Sequence, residues 1–96
     1  MAELLSRGDA MLAIADISAA RLLYARAAAG GSGRAATQIG KTYDPAFLTQ
    51  IGITGMSADG ATAATWYRKA MALGDREAAD RLQRLGAVAR SGSGEN

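Results

Sequence analysis

Apolar side chains recur along this chain at intervals of three and four residues, the spacing that places them on one face of an α-helix. The pattern predicts five long helices, over residues 3–15, 17–29, 33–43, 60–73 and 76–88. No segment shows the strict alternation of apolar and polar residues that is typical of a half-buried strand. We therefore expect an all-α fold.

Capping residues and glycines mark the ends of these predicted helices. A side-chain oxygen just before a helix accepts one of the unpaired backbone N–H groups of its first turn. Four residues stand at such positions: Asp16, Ser32, Asp59 and Asp75. Gly31 and Gly74 end helices, because glycine adopts the left-handed conformation without a steric penalty. Asp44-Pro45 ends the third helix and is suited to begin a short further turn of helix.

Part of the sequence occurs twice. Residues 20–39 and 63–82 are identical at seven positions when they are aligned with an offset of 43. The identities include Tyr24 with Tyr67, and a repeat of this length is typical of stacked helical units. Gly8 and Ala20 are 12 positions apart, whereas Gly40 and Ala63 are 23 apart, so the second copy contains an insertion of 11 residues.

The second copy contains an ordered series of small, aromatic and capping positions: Asp59, Ala63, Trp66, Tyr67, Ala70, Gly74, Ala78 and Leu82. This series, with the preceding glycine-bearing loop 52–58, resembles the Sel1-like repeat, a relative of the tetratricopeptide repeat. The first copy is similar to a plain tetratricopeptide unit, through Gly8, Ala20, Tyr24 and Ala27. The resemblance covers about residues 3–88, nearly the whole chain.

The resemblance implies a short right-handed α-solenoid of two helix-turn-helix repeats and a capping helix, in a domain of residues 1–90. Neighbouring units must cover the alanine-rich seam of each pair. Residues 91–96, Ser-Gly-Ser-Gly-Glu-Asn, are typical of a linker that enters a protease-cleavable tag, and we expect them to lie outside the fold. Such modules often belong to larger envelope or secreted proteins of bacteria, so we expect this chain to be part of a longer one.

The candidate binding surface also follows from the resemblance, because these families usually bind peptides on the concave face. Nine residues are implied there: Leu5, Asp9, Leu12, Arg34, Thr37, Lys41, Glu77, Asp80 and Arg84. Arg34 and Lys41 are candidates for binding a carboxylate of the partner. For any single residue, a solvated helix face with ion pairs four residues apart is the simpler interpretation. The function implied is a scaffold that binds a peptide or helix of a protein partner.

Segment 45–58 carries no charge and contains five large apolar residues: Phe47, Leu48, Ile51, Ile53 and Met56. If these side chains are exposed, they form an apolar patch that marks a binding site. The chain could then be a structural spacer that dimerises through this segment or through an exposed end of the repeats. We favour the packed arrangement, in which the segment fills space between the third and fourth long helices.

The aromatic residues of the repeats, Tyr24, Trp66 and Tyr67, have two interpretations. They stack on a ligand, or they fill the seam between helices. Their helical spacing among small residues favours the seam.

The composition excludes much catalytic chemistry. The chain has no Cys and no His, and therefore lacks disulfides, thiolates, the usual general base and the commonest metal ligands. Glu77 and Asp80 lie close together, but Arg81 and Arg84 follow them by four residues, which indicates a ladder of ion pairs. We expect no enzymatic activity, no cofactor and no metal site.

The charge pattern favours protein partners. The net charge is +2, and acidic and basic residues are interleaved along the chain without a cluster of Lys or Arg. We therefore expect no nucleic-acid partner. No apolar run approaches the ~20 residues that a membrane-spanning helix requires.

Overall fold

The computed structural model describes the backbone of residues 2–54 and 58–94, and side chains as far as Gly86. The described residues form six α-helices and no strand: α1 (Ala2–Ala13), α2 (Ile17–Ala29), α3 (Gly33–Tyr43), α4 (Pro45–Gln50), α5 (Gly60–Ala72) and α6 (Arg76–Gly94). The expectation of an all-α fold is confirmed. The helix bounds agree closely with the predicted ones, except that α6 continues six residues beyond 88 and includes part of the Ser/Gly segment.

Side-chain caps begin four of the helices. The carboxylate of Asp16 accepts a hydrogen bond from the backbone N–H of Ala19 at 3.1 Å, and Ser32 caps α3 in the same way. Asp59 caps α5. Asp44 accepts from the N–H of Ala46 at 2.9 Å, with Pro45 in the first turn of α4. The short helix suggested by Asp44-Pro45 is therefore present.

Glycines with positive φ end α2 and α5 at equivalent positions of the repeat. Gly31 has φ 103° and Gly74 has φ 91°. In each case the next residue donates its N–H to a carbonyl five residues earlier, from Ser32 to Ala27 at 3.1 Å and from Asp75 to Ala70 at 3.0 Å. This is the Schellman arrangement, in which the last carbonyls of the helix find donors.

Successive helices pack on one another. The main contacts join α1 to α2, α2 to α3, α3 to α5 and α5 to α6, while α4 packs on α3. Alanines without solvent exposure occupy the seams, among them Ala20, Ala35 and Ala63. Tyr24 and Tyr67 are also fully buried, and Trp66 packs against the same core. These three rings therefore fill the seam, as we favoured.

Each tyrosine lies directly against a glycine of the preceding long helix. A Cβ atom on Gly8 would lie 2.5 Å from Cε1 of Tyr24, and a Cβ atom on Gly40 would lie 2.6 Å from Cε1 of Tyr67. Only glycine leaves room for a ring at this distance. The two helix pairs, α1 with α2 and α3 with α5, thus share one mode of close approach.

The insertion leaves this pairing intact. In the first pair, the N–H of Asp16 donates to the carbonyl of Met11 at 2.9 Å, and in the second pair the N–H of Asp59 donates to the carbonyl of Tyr43 at 2.9 Å. Residues 44–58 therefore leave the end of α3 and return to the same point. We call residues 44–58 the excursion; it contains α4.

Candidate functional site

Asp9, Arg34 and Gln38 form a polar group between α1 and α3. Oδ1 of Asp9 accepts hydrogen bonds from the hydroxyl of Tyr24 at 2.5 Å and from Nε2 of Gln38 at 3.3 Å. Nη2 of Arg34 lies 4.0 Å from Oδ2 of Asp9, the limit for an ion pair. The Arg34 side chain is 64% exposed. Its guanidinium therefore retains most of its capacity to donate hydrogen bonds.

Lys41 belongs to a second polar group that links α3 to α6. Its Nζ lies 2.9 Å from Oε2 of Glu77 and donates to Oε1 of Gln38 at 3.0 Å. Nε of Arg81 donates to the same Glu77 oxygen at 3.1 Å. The Lys41 side chain is only 12% exposed. Lys41 is thus engaged within the molecule, whereas Arg34 faces solvent.

The other predicted surface residues have varied positions. Leu12 and Leu5 are half-buried and pack against the core. Asp80 and Arg84 are exposed and form an ion pair at 2.6 Å. Thr37 corrects the expectation, because it is fully buried and donates its hydroxyl to Oδ2 of Asp75 at 2.6 Å. Its side chain joins α3 to the start of α6 and does not contribute to the surface.

The apolar residues of the excursion are divided between the core and the surface. Phe47 and Leu48 are buried, as expected of a packed segment. Nζ of Lys41 lies 5.2 Å from the centre of the Phe47 ring, on which the Arg81 guanidinium also lies, so two cations cover this side chain. Ile51 is 40% exposed and Ile53 is half-buried. The fifth predicted residue, Met56, lies outside the described residues.

Two grooves lie beside the excursion. The first lies between α1, α3 and the excursion, and we call it the α1–α4 groove. It has a volume of about 410 Å³. Its lining combines apolar side chains with the Asp9–Arg34–Gln38 group, and the apolar part includes Leu12, Phe47, Ile51 and Ile53. A groove of this volume accommodates one or two side chains of a peptide.

The second groove lies on the opposite face of α4, between α4 and α6, and we call it the α4–α6 groove. It has a volume of about 480 Å³. Pro45, Ala46 and Thr49 line one wall, and Arg81, Arg84 and Leu85 line the other. Because α4 lies between the two grooves, they are separate surfaces: Asp9, Leu12 and Arg34 line the first, and Arg84 lines the second.

The electrostatic environment fixes the protonation of the buried groups. Burial raises the pKa of Tyr24 and of Tyr67, and the hydrogen bonds to Asp9 and Asp44 raise these pKa values further. Both phenols are therefore neutral hydrogen-bond donors. Burial also tends to raise the pKa of Glu77, but the hydrogen bonds and charges of Lys41 and Arg81 outweigh it, and the net pKa is lowered. Glu77 is thus held as a carboxylate between two cations.

Two residues that organise the site were absent from the predicted surface. Gln38 links Asp9 to Lys41 through its two amide atoms. Asp44, expected only as a cap, also accepts a hydrogen bond from the hydroxyl of Tyr67 at 2.7 Å. The repeat alignment could have pointed to Gln38. It aligns with Arg81 at the offset of 43, and both residues line a groove.

Some features are not found within the described part of the chain. No group of three or more acidic side chains there is arranged to hold a metal ion. None of the helices described combines the length and hydropathy needed to cross a bilayer.

The geometry of the two grooves is the main guide to function. No protein-family model matches this chain, and neither the curated proteins nor the solved structures contain a match to it.

Proposed function

We propose that this chain is a Sel1/tetratricopeptide-like helical-repeat scaffold that binds a peptide or helix of a protein partner in the α1–α4 groove. The observation that supports the proposal most is the combination of apolar walls with one exposed guanidinium, that of Arg34. Ile51 and Ile53 supply an apolar wall opposite Leu12. Arg34 lines the same groove and is exposed to solvent.

Arg34 is the residue best suited to bind an acidic group of the partner. Within the part of the chain that the structure describes, its one ion-pair partner is Asp9, which lies at 4.0 Å and is already hydrogen-bonded to Tyr24 and Gln38. Exposed pairs of this kind contribute little, about 0–1 kcal/mol, so Arg34 exchanges Asp9 for a ligand carboxylate at low cost. A guanidinium binds a carboxylate through two parallel hydrogen bonds. We therefore propose a partner segment with an acidic side chain next to an apolar one.

Lys41 has a different role in this proposal. Its ammonium group already binds Glu77 and Gln38, and it lies over Phe47. Substitution of Lys41 would disturb the packing of α3 against α4 and α6 as well as any ligand. Lys41 therefore supports the wall of the groove, and Arg34 is the better target for a binding test.

Selection of phage-displayed random peptides on the immobilised chain tests the proposal. We expect enriched peptides that share an acidic and an apolar position and that bind about tenfold more weakly to Arg34→Glu, because a charge-assisted hydrogen bond is lost and a repulsion is introduced. Arg26→Glu is the matched control, since it makes the same change of charge at an exposed position on α2. It should leave the affinity unchanged.

Two outcomes would contradict the proposed groove. One is a selection without any enriched sequence. The other is a set of peptides that bind wild type, Arg34→Glu and Arg26→Glu equally well. Thermal unfolding of each variant, followed by circular dichroism, confirms that the comparison is made between folded proteins.

A second candidate function, self-association, is favoured by the uncovered side of α6. Ala36 of α3 is fully buried, but Ala79, at the equivalent position of α6, is exposed. Leu82 and Leu85 line an open crevice of about 330 Å³ between α5 and α6. A second copy of the chain could cover this side. Sedimentation over a concentration series tests this candidate: we expect a dimer that Leu82→Arg dissociates, and a monomer at all concentrations would refute it.

A further inference from the structure

The α4–α6 groove presents one arginine to solvent and holds a second, mostly buried arginine in its wall. Arg84 lines it with a side chain that is 67% exposed, and its one ion pair among the described side chains is with Asp80, which is itself exposed. Arg81 lines it as well, but its side chain is only 17% exposed and pairs with Glu77. Its Nε is the one guanidinium atom that donates a hydrogen bond within the described residues. The two Nη groups of Arg81 therefore remain available as donors.

The one acidic residue that lines this groove does not neutralise the arginines at its surface. Asp44 is 3% exposed, and each of its carboxylate oxygens already accepts a hydrogen bond. Oδ1 accepts from the N–H of Ala46, and Oδ2 accepts from the hydroxyl of Tyr67. The carboxylate is thus directed into the fold. The accessible charged groups of the lining are the two guanidiniums, and their acidic partners, Glu77 and Asp80, lie outside the lining.

The remaining lining suits a short peptide segment. Pro45, Ala46 and Leu85 supply apolar surface, and Thr49 and Gln50 add neutral polar groups at the exposed end of α4. Apolar surface next to guanidinium groups matches a side chain with a carboxylate beside one without charge. Two arginines with free donors complement a carboxylate well, because each guanidinium can form two hydrogen bonds with it.

We propose that the α4–α6 groove is a second binding site, for an acidic peptide segment whose carboxylate lies between Arg81 and Arg84 and whose apolar neighbour contacts Leu85 and Pro45. This site is separate from the α1–α4 groove, because Phe47 and Ile51 line one face of α4 whereas Ala46, Thr49 and Gln50 line the other. One continuous chain segment does not reach both grooves without crossing α4. In this proposal the scaffold offers its partners two separate grooves, each lined by one exposed arginine, Arg34 or Arg84.

A nuclear magnetic resonance titration of the whole ¹⁵N-labelled chain tests this site. The probe is the peptide acetyl-Glu-Leu-Glu-Leu-amide, and its uncharged control is acetyl-Gln-Leu-Gln-Leu-amide. We expect the acidic peptide to shift the amide signals of Ala46, Thr49, Arg84 and Leu85, with a dissociation constant in the ~mM range that is ordinary for so small a ligand. The Gln peptide should bind about tenfold more weakly, since it lacks the carboxylates.

Two substitutions identify the residues that bind the probe. Arg84→Gln should weaken binding about fivefold, in proportion to the loss of one exposed charge. Thr49→Glu, which adds a carboxylate at the exposed wall, should weaken binding by a similar factor even if Arg84→Gln alters the fold of α6. Arg26→Gln is the matched control and should bind as wild type does.

Three results would overturn the second site. Signal changes confined to Leu12, Arg34 and Ile53 would assign the probe to the α1–α4 groove and leave the proposed function standing. Equal affinities for the acidic and Gln peptides would show that the carboxylates do not contribute to binding. Tighter binding of an oligouridylate at the same residues, with a steep dependence on salt, would indicate a phosphate ligand instead of a peptide.

Discussion

The two long-helix pairs of this molecule, α1 with α2 and α3 with α5, have the same joint but different surroundings. Each places a buried tyrosine against a glycine and closes with one backbone hydrogen bond of 2.9 Å. The second pair contains 11 more residues between these points. The comparison shows that the helical joint tolerates a long insertion, and that the insertion supplies a wall to both grooves.

The pairs also differ in the acceptor that each tyrosine uses. The hydroxyl of Tyr24 donates to Asp9 on α1, which is 41% exposed, whereas that of Tyr67 donates to the buried Asp44 of the excursion. Lys41 occupies the position after Gly40 that Asp9 occupies after Gly8, and it binds Glu77. In the second pair the acceptor for the tyrosine hydroxyl is Asp44 of the excursion, so residue 41 is not needed for that role. Lys41 instead joins α3 to α6 through Glu77.

The glycine joint is the feature whose disruption should have the largest effect. Gly8→Ala and Gly40→Ala should each lower the free energy of unfolding by about 2–3 kcal/mol, because a Cβ atom overlaps a buried ring that cannot move aside. Urea unfolding measures both values. Gly86→Ala is the matched control: no described atom of another helix lies within 4 Å of its added Cβ, so helix propensity should raise stability by up to ~1 kcal/mol. A loss in only one pair would show that the joints are not equivalent.

Removal of each tyrosine hydroxyl should lower the free energy of unfolding by a different amount in the two helix pairs. Tyr67→Phe should cost about 2 kcal/mol, because the buried carboxylate of Asp44 loses a hydrogen-bond donor. Tyr24→Phe should cost about 1 kcal/mol, since Asp9 is partly exposed and water can replace the phenol. Denaturant unfolding of both variants in the same buffer provides the test. Equal losses would mean that the burial of the acceptor has no influence.

The ends of α1 and α2 provide a smaller contrast. After the end of α1, Ala15 has φ 62°, whereas after the end of α2 the residue with positive φ is a glycine, Gly31, with φ 103°. Ala15→Gly should therefore raise the free energy of unfolding by about 0.5–1 kcal/mol, and Gly31→Ala should lower it by about 1 kcal/mol. Thermal unfolding measures both changes. Destabilisation by Ala15→Gly would show that the left-handed conformation carries no strain there.

The smallest expected effect is a dependence of stability on pH that arises at Glu77. Its pKa is lowered below the ordinary value of 4.5, so its contribution to stability is present above that pH and is lost as the pH falls through the folded-state pKa. Glu77→Gln should therefore reduce the loss of stability in acid. The pKa of Asp59 is lowered by hydrogen bonds from Thr62, so part of the dependence of stability on pH should remain in both wild type and Glu77→Gln. Identical pH profiles of wild type and Glu77→Gln would refute the coupling of Glu77 to Lys41 and Arg81.

The sequence allowed the helices and their ends to be predicted, because these depend on local rules of periodicity, capping and glycine conformation. The bonds of Asp16 and Ser32 and the positive φ of Gly31 follow such rules. Even α4 was indicated by Asp44-Pro45. The surface was harder to predict: Thr37 was expected on the binding surface, but it is buried, and its position depends on how closely α3 approaches the start of α6, at Asp75.

The path of the excursion is the part that could not be predicted. A helix of six residues is too short to show a periodic pattern, and no local signal places α4 on α3. The hydrogen bond from Tyr67 to Asp44 joins residues 23 positions apart, and it depends on the tertiary fold. Both grooves depend on this path, and the assignment of Lys41 and Arg34 to different roles depends on it as well.

Replacement of the excursion tests the central claim, that the glycine-tyrosine joint builds the fold and the excursion supplies the binding walls. Residues 44–58 are replaced by Leu-Ala-Ile-Ala, the sequence of residues 12–15, and Lys41→Asp restores an acceptor for Tyr67 at the position that Asp9 occupies in the first pair. The measurement is a ¹⁵N spectrum of this variant with and without a peptide selected on wild type. We predict a dispersed spectrum of a folded helical protein that the peptide no longer shifts. A collapsed spectrum, or retained binding of the peptide, would contradict the account.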